Sequence, residues 1–259
     1  MIQEITNTKK VAAEDIAGPV INIRGLYKSF GKKNDVLRGV DLSVKKGENL
    51  VVLGKSGSGK SITIKCLVGL VKADRGEIKV FDTDITTLNN RQLNSIRVRI
   101  GFLFQNSALY DSMTVRQNLA FPLKRHSKKL TSKEVENMII EELESVGLAD
   151  AIDKMPSELS GGMRKRIGLA RTLILKPEIM LYDEPTTGLD TITSREISEL
   201  IMAIQKKNKT TSIIITHDMA CAKLTGDRVV ILKDGVIDAE GSYETLEKSD
   251  DKGVRSFFI

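Results

Sequence analysis

The sequence predicts an α/β protein whose largely parallel sheet is covered by helices on both faces. Short aliphatic runs alternate with helix-like segments along much of the chain, a pattern typical of parallel sheets. The continuous aliphatic run Leu50–Leu53 is typical of a buried central strand. A glycine-rich loop joins this run to the apolar, helix-like stretch Ile62–Val71. We find no internal repeat, so the simplest architecture is one module.

The N-terminal part of the chain begins with a polar segment and continues with strands. Residues 1–18 are polar, mixed in charge and aperiodic, which predicts a loose tail. Strands are expected at Val20–Leu26, around Val40–Val44, where apolar and polar residues alternate, and at Ile78–Phe81. The turn residues Asp74–Gly76 separate the last of these strands from the preceding helix.

The middle of the chain, residues 106–165, differs from its flanks because its apolar residues follow helical spacing. Within Val135–Val146 they recur three and four positions apart, and Gly147 is a stop signal. This part is therefore predicted to be a helical insertion. Beyond it, a helix is expected over Arg164–Lys176. The alternation then resumes with strand Ile179–Tyr182, helix Thr193–Gln205, strand Ser212–Thr216, helix Asp218–Leu224 and strand Val229–Leu232.

Composition excludes several classes of protein. The 259 residues are 41% apolar and 29% charged, which excludes a disordered or collagen-like chain. No stretch approaches the ~18–20 apolar residues that span a bilayer, and the first residues lack the apolar core of a secretory signal. The two cysteines, Cys66 and Cys221, cannot form a disulfide framework and are expected to pack in the core of a cytosolic protein.

The charge is a weak indicator of partners. Forty Lys and Arg against 34 Asp and Glu give a net charge of +6, compatible with a nucleotide, a nucleic acid or an anionic membrane. The basic clusters Lys124–Lys129, Arg164–Arg166 and Lys206–Lys209 are interpreted as solvated faces or loops. No aromatic residues are interleaved with them and the chain has no Trp, so nucleic acid is not expected as a partner.

The loop at residues 54–61, called the phosphate loop below, matches the pattern G-x-x-x-x-G-K-[ST]. Its glycines let backbone N–H groups wrap a phosphate, and the following helix directs its positive end there. Lys60 would place a charge against the β- and γ-phosphates, and the Ser61 hydroxyl would ligate Mg²⁺. The pattern predicts binding of ATP with Mg²⁺. The expected phosphate-binding residues are Gly54, Ser56, Gly57, Ser58, Gly59, Lys60 and Ser61.

Two further segments complete a candidate catalytic set. Strand Ile179–Tyr182 runs into Asp183 and Glu184, at the strand edge where α/β sheets bind ligands. Asp183 would hold Mg²⁺, and Glu184 would polarise the attacking water. The segment Ser160–Gly162, just before a helix, predicts a second anion site. One ATP needs only one cradle in its own chain, so the second cradle suggests that another copy closes each site.

At this point the chain resembles the ATP-binding subunits of ABC transporters, over residues 20–245. The phosphate loop resembles Walker A, Asp183 and Glu184 resemble Walker B with its catalytic glutamate, and Ser160–Gly162 resembles the signature motif. Four other positions also match the family's motifs. These are the glutamine of the Q-loop at Gln105, the D-loop aspartate at Asp190, the switch histidine at His217 and an adenine-stacking aromatic at Phe30.

The resemblance implies a fold and a mechanism. The fold is a P-loop NTPase core of ABC ATPase type over residues 19–245, with an N-terminal antiparallel β subdomain and the helical subdomain at 106–165; residues 246–259 form a C-terminal tail. Two copies would sandwich two ATP molecules, each between the phosphate loop of one copy and the signature motif of the other. The implied roles are Glu184 and His217 beside the attacking water, Gln105 as a sensor of γ-phosphate and Mg²⁺, and Ser61, Gln105 and Asp183 as metal ligands.

One motif position differs from the common family pattern. Met163 stands where most members have Gln. That Gln is peripheral to the phosphate contacts, so hydrolysis is still expected.

Several stretches are similar to the ATPases of Mla/Mce-type lipid transport systems. They are Phe104–Val115, Asn118–Leu123, Met155–Met163 and the ending Gly253–Phe258. This similarity implies phospholipid or related cargo, an integral-membrane permease, an Mce-domain lipid-binding protein and a small cytosolic accessory subunit. The chain would then lie in the cytoplasm, peripheral on the inner face of the membrane.

Three alternatives stay open. An ATPase of an amino-acid, methionine or metal importer shares most of these motifs. A soluble ABC protein of translation or DNA repair is less well matched, because such proteins usually carry two cassettes or a long coiled-coil insertion. A P-loop kinase or GTPase leaves Ser160–Gly162 unexplained.

Overall fold

The computed structural model describes residues 18–31, 35–126 and 130–258. The strands in these ranges are β1 (Ile21–Ser29), β2 (Asp35–Val44), β3 (Asn49–Leu53), β4 (Arg75–Val80), β5 (Thr83–Asp84), β6 (Ile100–Leu103), β7 (Ile179–Asp183), β8 (Thr211–Thr216), β9 (Arg228–Lys233) and β10 (Val236–Gly241). The α-helices are α1 (Lys60–Leu67), α2 (Asn90–Arg97), α3 (Val115–His126), α4 (Ser132–Ser145), α5 (Gly161–Leu173), α6 (Thr191–Asn208), α7 (Met219–Thr225), α8 (Tyr243–Glu247) and α9 (Lys252–Arg255).

The main sheet has the strand order β10-β9-β3-β8-β7-β6. Its strands are parallel except for β10, which pairs antiparallel with β9. Strand β3 lies between β8 and β9 and is buried along its whole length, which explains the continuous aliphatic run Leu50–Leu53. The parallel sheet predicted from the sequence is confirmed.

A second, four-stranded sheet has the order β2-β1-β4-β5 and is antiparallel. Ile21, Ile23 and Leu26 of β1 are buried in a core shared with Val40 and Val44 of β2. The alternation of apolar residues in this part of the sequence therefore marks the face that covers the core. The N-terminal antiparallel β subdomain is confirmed.

Helices α3 and α4 and part of α5 enclose a core of their own. Leu119, Leu143 and Ile167, one from each helix, are fully buried together. A reciprocal hydrogen-bonded cap between Thr131 and Glu134 begins α4. The predicted end of the helical insertion, at residue 165, falls inside α5. This helix belongs to both parts of the protein, because its side chains pack in the core of the insertion and in the core under the main sheet.

Some boundaries differ from the predicted ones for local reasons. The helix predicted at Ile62–Val71 begins at Lys60 and ends at Leu67, because Gly69 adopts a φ of 65° and stops it. The helix predicted from Arg164 begins at Gly161, directly after the Ser160 cap. The predicted tail at 1–18 lies outside the described residues apart from Gly18, as do positions 127–129 of the first basic cluster.

Residues 246–258 pack against the main domain. Val254 is buried, and Phe257 and Phe258 contact the same core as α6 and α7. The Phe258 ring lies edge-on to Tyr243, with the ring centroids 5.2 Å apart. Both cysteines are also buried, which raises the pKa of each thiol to about 11. Within the described ranges, no helix combines the length and the apolar character needed to cross a bilayer.

The core of the helical insertion gives a stability prediction. Leu143 of α4 is fully buried, whereas Ile140 on the same helix is 38% exposed. We expect Leu143→Ala to lower the free energy of unfolding by about 2–5 kcal/mol, measured by urea denaturation. Ile140→Ala, the matched control, should cost less than about 1 kcal/mol. Equal losses in the two variants would contradict the packing of this core.

Candidate active site

The phosphate loop connects the central strand β3 to α1. Gly57 and Gly59 adopt positive φ values of 82° and 105°, and Gly59 caps α1. A Cβ on Gly54 would lie 2.5 Å from both the Leu232 carbonyl oxygen and Ser58 Oγ, so a larger residue cannot replace it without a shift. The Ser58 hydroxyl is buried and has no hydrogen-bond partner, which fits a loop whose donors are directed at a bound anion.

Lys60 begins α1 and lies across the mouth of this loop. Its ammonium donates to the carbonyl oxygen of Gly54 at 2.7 Å and to that of Lys55 at 3.2 Å. It also lies 3.6 Å from Glu184 Oε1. A buried cation at the opening of a loop of backbone amides can pair with a phosphate oxygen.

Ser61 and Asp183 bring two oxygen ligands together. The Ser61 hydroxyl donates to Asp183 Oδ1 at 2.7 Å, joining the start of α1 to the end of β7. Hydroxyl and carboxylate oxygens suit Mg²⁺, which is bound through few protein ligands plus substrate phosphates. No cluster of three or more His, Cys, Asp or Glu among the described residues could hold a metal. The hydroxyl of Ser61 and the carboxylate of Asp183 fit a cation shared with a triphosphate.

Glu184 is held by donors on three sides. Its Oε2 accepts from Thr187 Oγ1 at 3.2 Å and from the His217 backbone N–H at 3.3 Å, and it lies 2.8 Å from His217 Nδ1. Glu184 adopts a left-handed φ of 52°, and its N–H donates to the Ile215 carbonyl. Such strain persists where the surrounding structure holds it. The arrangement aims a carboxylate beside a histidine whose side chain is 64% exposed.

These residues line one cleft of about 780 Å³. Phe30, 45% exposed, lies on its wall near Val36. Gln105, in the loop that follows β6, also lines the cleft. Of the residues predicted from the sequence, those that line the cleft are Phe30, Ser56, Gly57, Ser58, Gly59, Lys60, Ser61, Gln105, Glu184 and His217. Gly54 and Asp183 adjoin it through their contacts with Lys60 and Ser61.

Two predicted groups do not line this cleft. Ser160 caps α5, accepting a hydrogen bond from the Met163 N–H at 3.2 Å. Asp190 caps α6 and accepts hydrogen bonds from Thr193, which lower the pKa of its carboxyl. A Cβ on Gly162 would lie 2.6 Å from Thr193 Cγ2, so the two caps are neighbours. The structure places Ser160–Gly162 and Asp190 beside each other, outside the set of residues that line the cleft.

Lys165 was missed by sequence reasoning. The interpretation of Arg164–Arg166 as a solvated face holds for Arg164, which is exposed, and is wrong for Lys165, which is only 5% exposed. Its ammonium donates to the carbonyl oxygens of Gln105 and Glu184. Its burial follows from the packing of α5 and has no signal of its own in the sequence, because Lys165 stands between two other basic residues.

Comparison with known proteins identifies the family. Residues 37–187, more than half of the chain, match the ABC transporter family. The chain belongs to the ABC transporter family. The predicted family membership, fold class and ATP hydrolase activity are therefore confirmed.

Relatives within the ABC family carry different cargo names. The chain is 42% identical over 240 residues to a probable ribonucleotide transport ATP-binding protein, mkl, of Mycobacterium leprae, covering 93% of this chain and 69% of that protein. It is 35% identical over 266 residues to protein TRIGALACTOSYLDIACYLGLYCEROL 3 of Arabidopsis thaliana. This match covers 96% of this chain and 76% of that protein. It is 39% identical over 243 residues to the methionine import ATP-binding protein MetN of Rhizobium johnstonii. This match covers 93% of this chain and 66% of that protein. The chain thus spans about two thirds of the mycobacterial and MetN relatives.

Solved ABC structures share this fold. The ATP-binding cassette MJ0796, in a dimeric post-hydrolysis state bound to ADP and Pi, matches with a TM-score of 0.80 and 30% identity, covering 86% of this chain and 98% of that one. The protein cbiO1 of Clostridium perfringens matches with a TM-score of 0.80 and 28% identity, covering 88% of this chain and 90% of that one. The ABC ATPase fold therefore extends over most of the described residues.

Proposed function

We propose that this chain is the ATP-hydrolysing subunit of a transporter that moves phospholipids or related lipids across the cell envelope through a separate membrane permease. ATP hydrolysis is supported above all by one observation: at the phosphate loop, Glu184 lies beside both Lys60 and His217. The lipid cargo is supported by the segments similar to Mla/Mce-type ATPases and by an Arabidopsis relative named after a galactolipid.

The side chains of the cleft have separate tasks in hydrolysis. Lys60 and the backbone amides of the phosphate loop bind the β- and γ-phosphates, and Phe30 stacks on the adenine. Ser61, Asp183 and Gln105 hold Mg²⁺, which neutralises phosphate charge when bound. Glu184 accepts the proton of the attacking water, and His217 keeps that carboxylate in position through its 2.8 Å contact.

The site is completed by a second copy of the chain. Ser160–Gly162 and Asp190 lie outside the cleft of their own chain, although a helix N-terminus such as that of α5 favours an anion. We expect these residues to close over the ATP that is bound at the phosphate loop of the partner. MJ0796, which shares the fold, forms a dimer. ATP would thus hold two copies together, and hydrolysis would release them.

The permease is expected to bind the surface beyond Gln105. This surface carries Tyr110, which is 40% exposed and packs on Phe121 with ring centroids 5.1 Å apart. An exposed tyrosine that is supported by a half-buried aromatic ring suits a protein–protein contact. The proposed assembly holds the chain on the cytoplasmic face of the membrane, with an Mce-domain lipid-binding protein on the other side and a small accessory subunit in the cytosol.

Methionine or other amino-acid import is the second candidate, favoured by the 39% identity to MetN. Purification of the native complex, followed by mass spectrometry of its subunits and lipids, separates the two. Lipid transport predicts an Mce-domain protein and bound phospholipid. An amino-acid-binding protein in the complex, with no enrichment of lipid over a mock purification, would contradict it.

The metal site gives a separate prediction. Ser61→Ala removes one of the two oxygen ligands that meet at 2.7 Å. We expect it to raise the Mg²⁺ concentration for half-maximal ATP hydrolysis by about ten-fold, taking for the lost ligand the roughly 1.5–3 kcal/mol that a hydrogen bond to a charged group is worth. The measurement is phosphate release against Mg²⁺ at saturating ATP. Ser95→Ala, on the exposed face of α2, is the control. An unchanged Mg²⁺ dependence would remove Ser61 from the site.

A further inference from the structure

We propose that Lys165 is a positioning residue that ties the signature helix α5 to both Gln105 and Glu184, so that the three move as one unit during hydrolysis. This inference rests on the proposed function of the cleft as an ATP hydrolysis site. Lys165 Nζ donates to the Gln105 carbonyl oxygen at 2.5 Å and to the Glu184 carbonyl oxygen at 3.2 Å. A single ammonium therefore joins the helix that begins at Ser160 to the loop of the sensing glutamine and to the backbone of the candidate base.

The burial of the Lys165 ammonium costs folding free energy. Lys165 is 5% exposed, and both hydrogen-bond partners are neutral backbone carbonyls. Burial lowers the pKa of Lys165, although the nearby Asp183 and Glu184 favour its charged form. A buried charge that is not fully compensated costs free energy. An apolar side chain could fill this space but would not join the two carbonyl oxygens, so the ammonium is assigned a positioning role.

Other residues of α5 also contact the segment 105–110, called the glutamine loop below. Lys165, Gly168 and Arg171 are spaced three apart and so lie along one side of the helix. A Cβ on Gly168 would lie 2.8 Å from Ser107 Cβ, so the loop and helix are in close contact. Arg171 Nη1 donates to the Ala108 carbonyl oxygen at 2.9 Å.

The loop conformation depends on these contacts. Ser107 and Ala108 both adopt left-handed backbone conformations, with φ values of 59° and 49°. Each such residue costs roughly 1–2 kcal/mol, and strain of this kind persists only where neighbouring structure holds it. Helix α5 contacts residues 105–108 of the loop through Lys165 and Arg171, while Asn118 of α3 contacts its far end at Tyr110. A displacement of α5 must therefore move Gln105 and its neighbours.

The consequence is a mechanical link between the two nucleotides of a dimer. A nucleotide of the partner that binds Ser160 pulls on the first turn of α5. Lys165 lies in the next turn and passes that displacement to Glu184 and Gln105 of its own cleft. Hydrolysis at one site would therefore depend on occupation of the other. Of the two basic residues of α5 that contact this loop, Arg171 bonds to Ala108, whereas Lys165 also bonds to the backbone of the candidate base Glu184.

The test is a comparison of Lys165→Met, which keeps the length and loses the donors, with Lys165→Arg, which keeps the charge and donors. Lys206→Met, at an exposed position of α6, is the matched control. We expect Lys165→Met to lower kcat by about ten-fold or more, as misplaced catalytic groups do. The Kd for ATP and the Tm without nucleotide should change little. Lys165→Arg should recover at least a third of the lost kcat.

A fluorescence measurement separates positioning from packing. The chain has no Trp, so Asn106→Trp places a single reporter in the glutamine loop. We expect ATP to change its emission with Lys165 present and to change it at most half as much in Lys165→Met. The proposal is overturned by unchanged kcat and emission in Lys165→Met. It is also overturned if Lys165→Arg is as inactive as Lys165→Met, since that result indicates packing. If the unsubstituted chain does not hydrolyse ATP, the proposed function itself fails.

Discussion

Glu184→Gln is expected to lower ATP turnover at least about a hundred-fold while ATP binding persists. The substitution keeps the size of the side chain and an oxygen that can accept from Thr187 and from the His217 backbone N–H, as Glu184 Oε2 does now. It removes the negative charge that accepts the proton of water, a contribution of roughly 10²–10⁴-fold for a general base. Phosphate release and ATP binding by calorimetry measure the two effects separately.

The same variant tests the composite site. A dimer that closes on ATP and opens on hydrolysis should accumulate when Glu184→Gln blocks hydrolysis, and size-exclusion chromatography with ATP would detect it. Glu178→Gln is the matched control, because Glu178 pairs with Arg99 at an exposed position just before β7. It should retain turnover within about two-fold. A monomeric ATP complex that hydrolyses at an undiminished rate would contradict the proposed closure by a second copy.

Lys60→Ala is expected to weaken ATP binding by roughly ten- to a hundred-fold in Kd. A hydrogen bond to a charged group is worth about 1.5–3 kcal/mol, and each 1.4 kcal/mol is a factor of ten. The ammonium of Lys60 is buried at the mouth of the phosphate loop, where few water molecules screen it. Calorimetry with a non-hydrolysable ATP analogue gives the Kd directly.

Lys65→Ala serves as the control for this prediction. Lys65 lies on the same helix, α1, and does not line the cleft. The Lys65→Ala variant should bind ATP with a Kd within about two-fold of that of the unsubstituted chain. Intact binding in Lys60→Ala would show that the loop at 54–61 does not hold the triphosphate.

Local patterns were enough to predict the elements that carry the chemistry. The run at Leu50–Leu53, the phosphate loop and the acidic end of β7 each depend on a few consecutive residues, whose types restrict the backbone directly. The sequence therefore placed Lys60 at the end of the loop that follows β3, and Glu184 at the end of β7, where the structure has them. It predicted no structure over α2, whose eight residues bury only Leu93 and so show little apolar periodicity.

The interactions that join distant segments were not predictable in this way. The contact between Lys165 and Gln105 links positions 60 residues apart, and nothing in the sequence around Lys165 distinguishes it from its basic neighbours. The start of α5 was placed too late because Gly161 and Gly162 are poor helix formers. In the structure they lie against Leu189 and Thr193, where a side chain would clash or crowd.

The central place of β3 in the main sheet also affects how the protein folds. This strand ends at Leu53, yet both of its neighbours, β8 and β9, begin after residue 210. During synthesis the ribosome therefore releases an aliphatic strand and its loop long before any partner strand exists. Contacts between such distant segments form slowly and leave apolar surface exposed in the meantime. Nascent chains that stop short of β9 are accordingly expected to need a chaperone and to gain nucleotide binding only when the last parallel strand emerges.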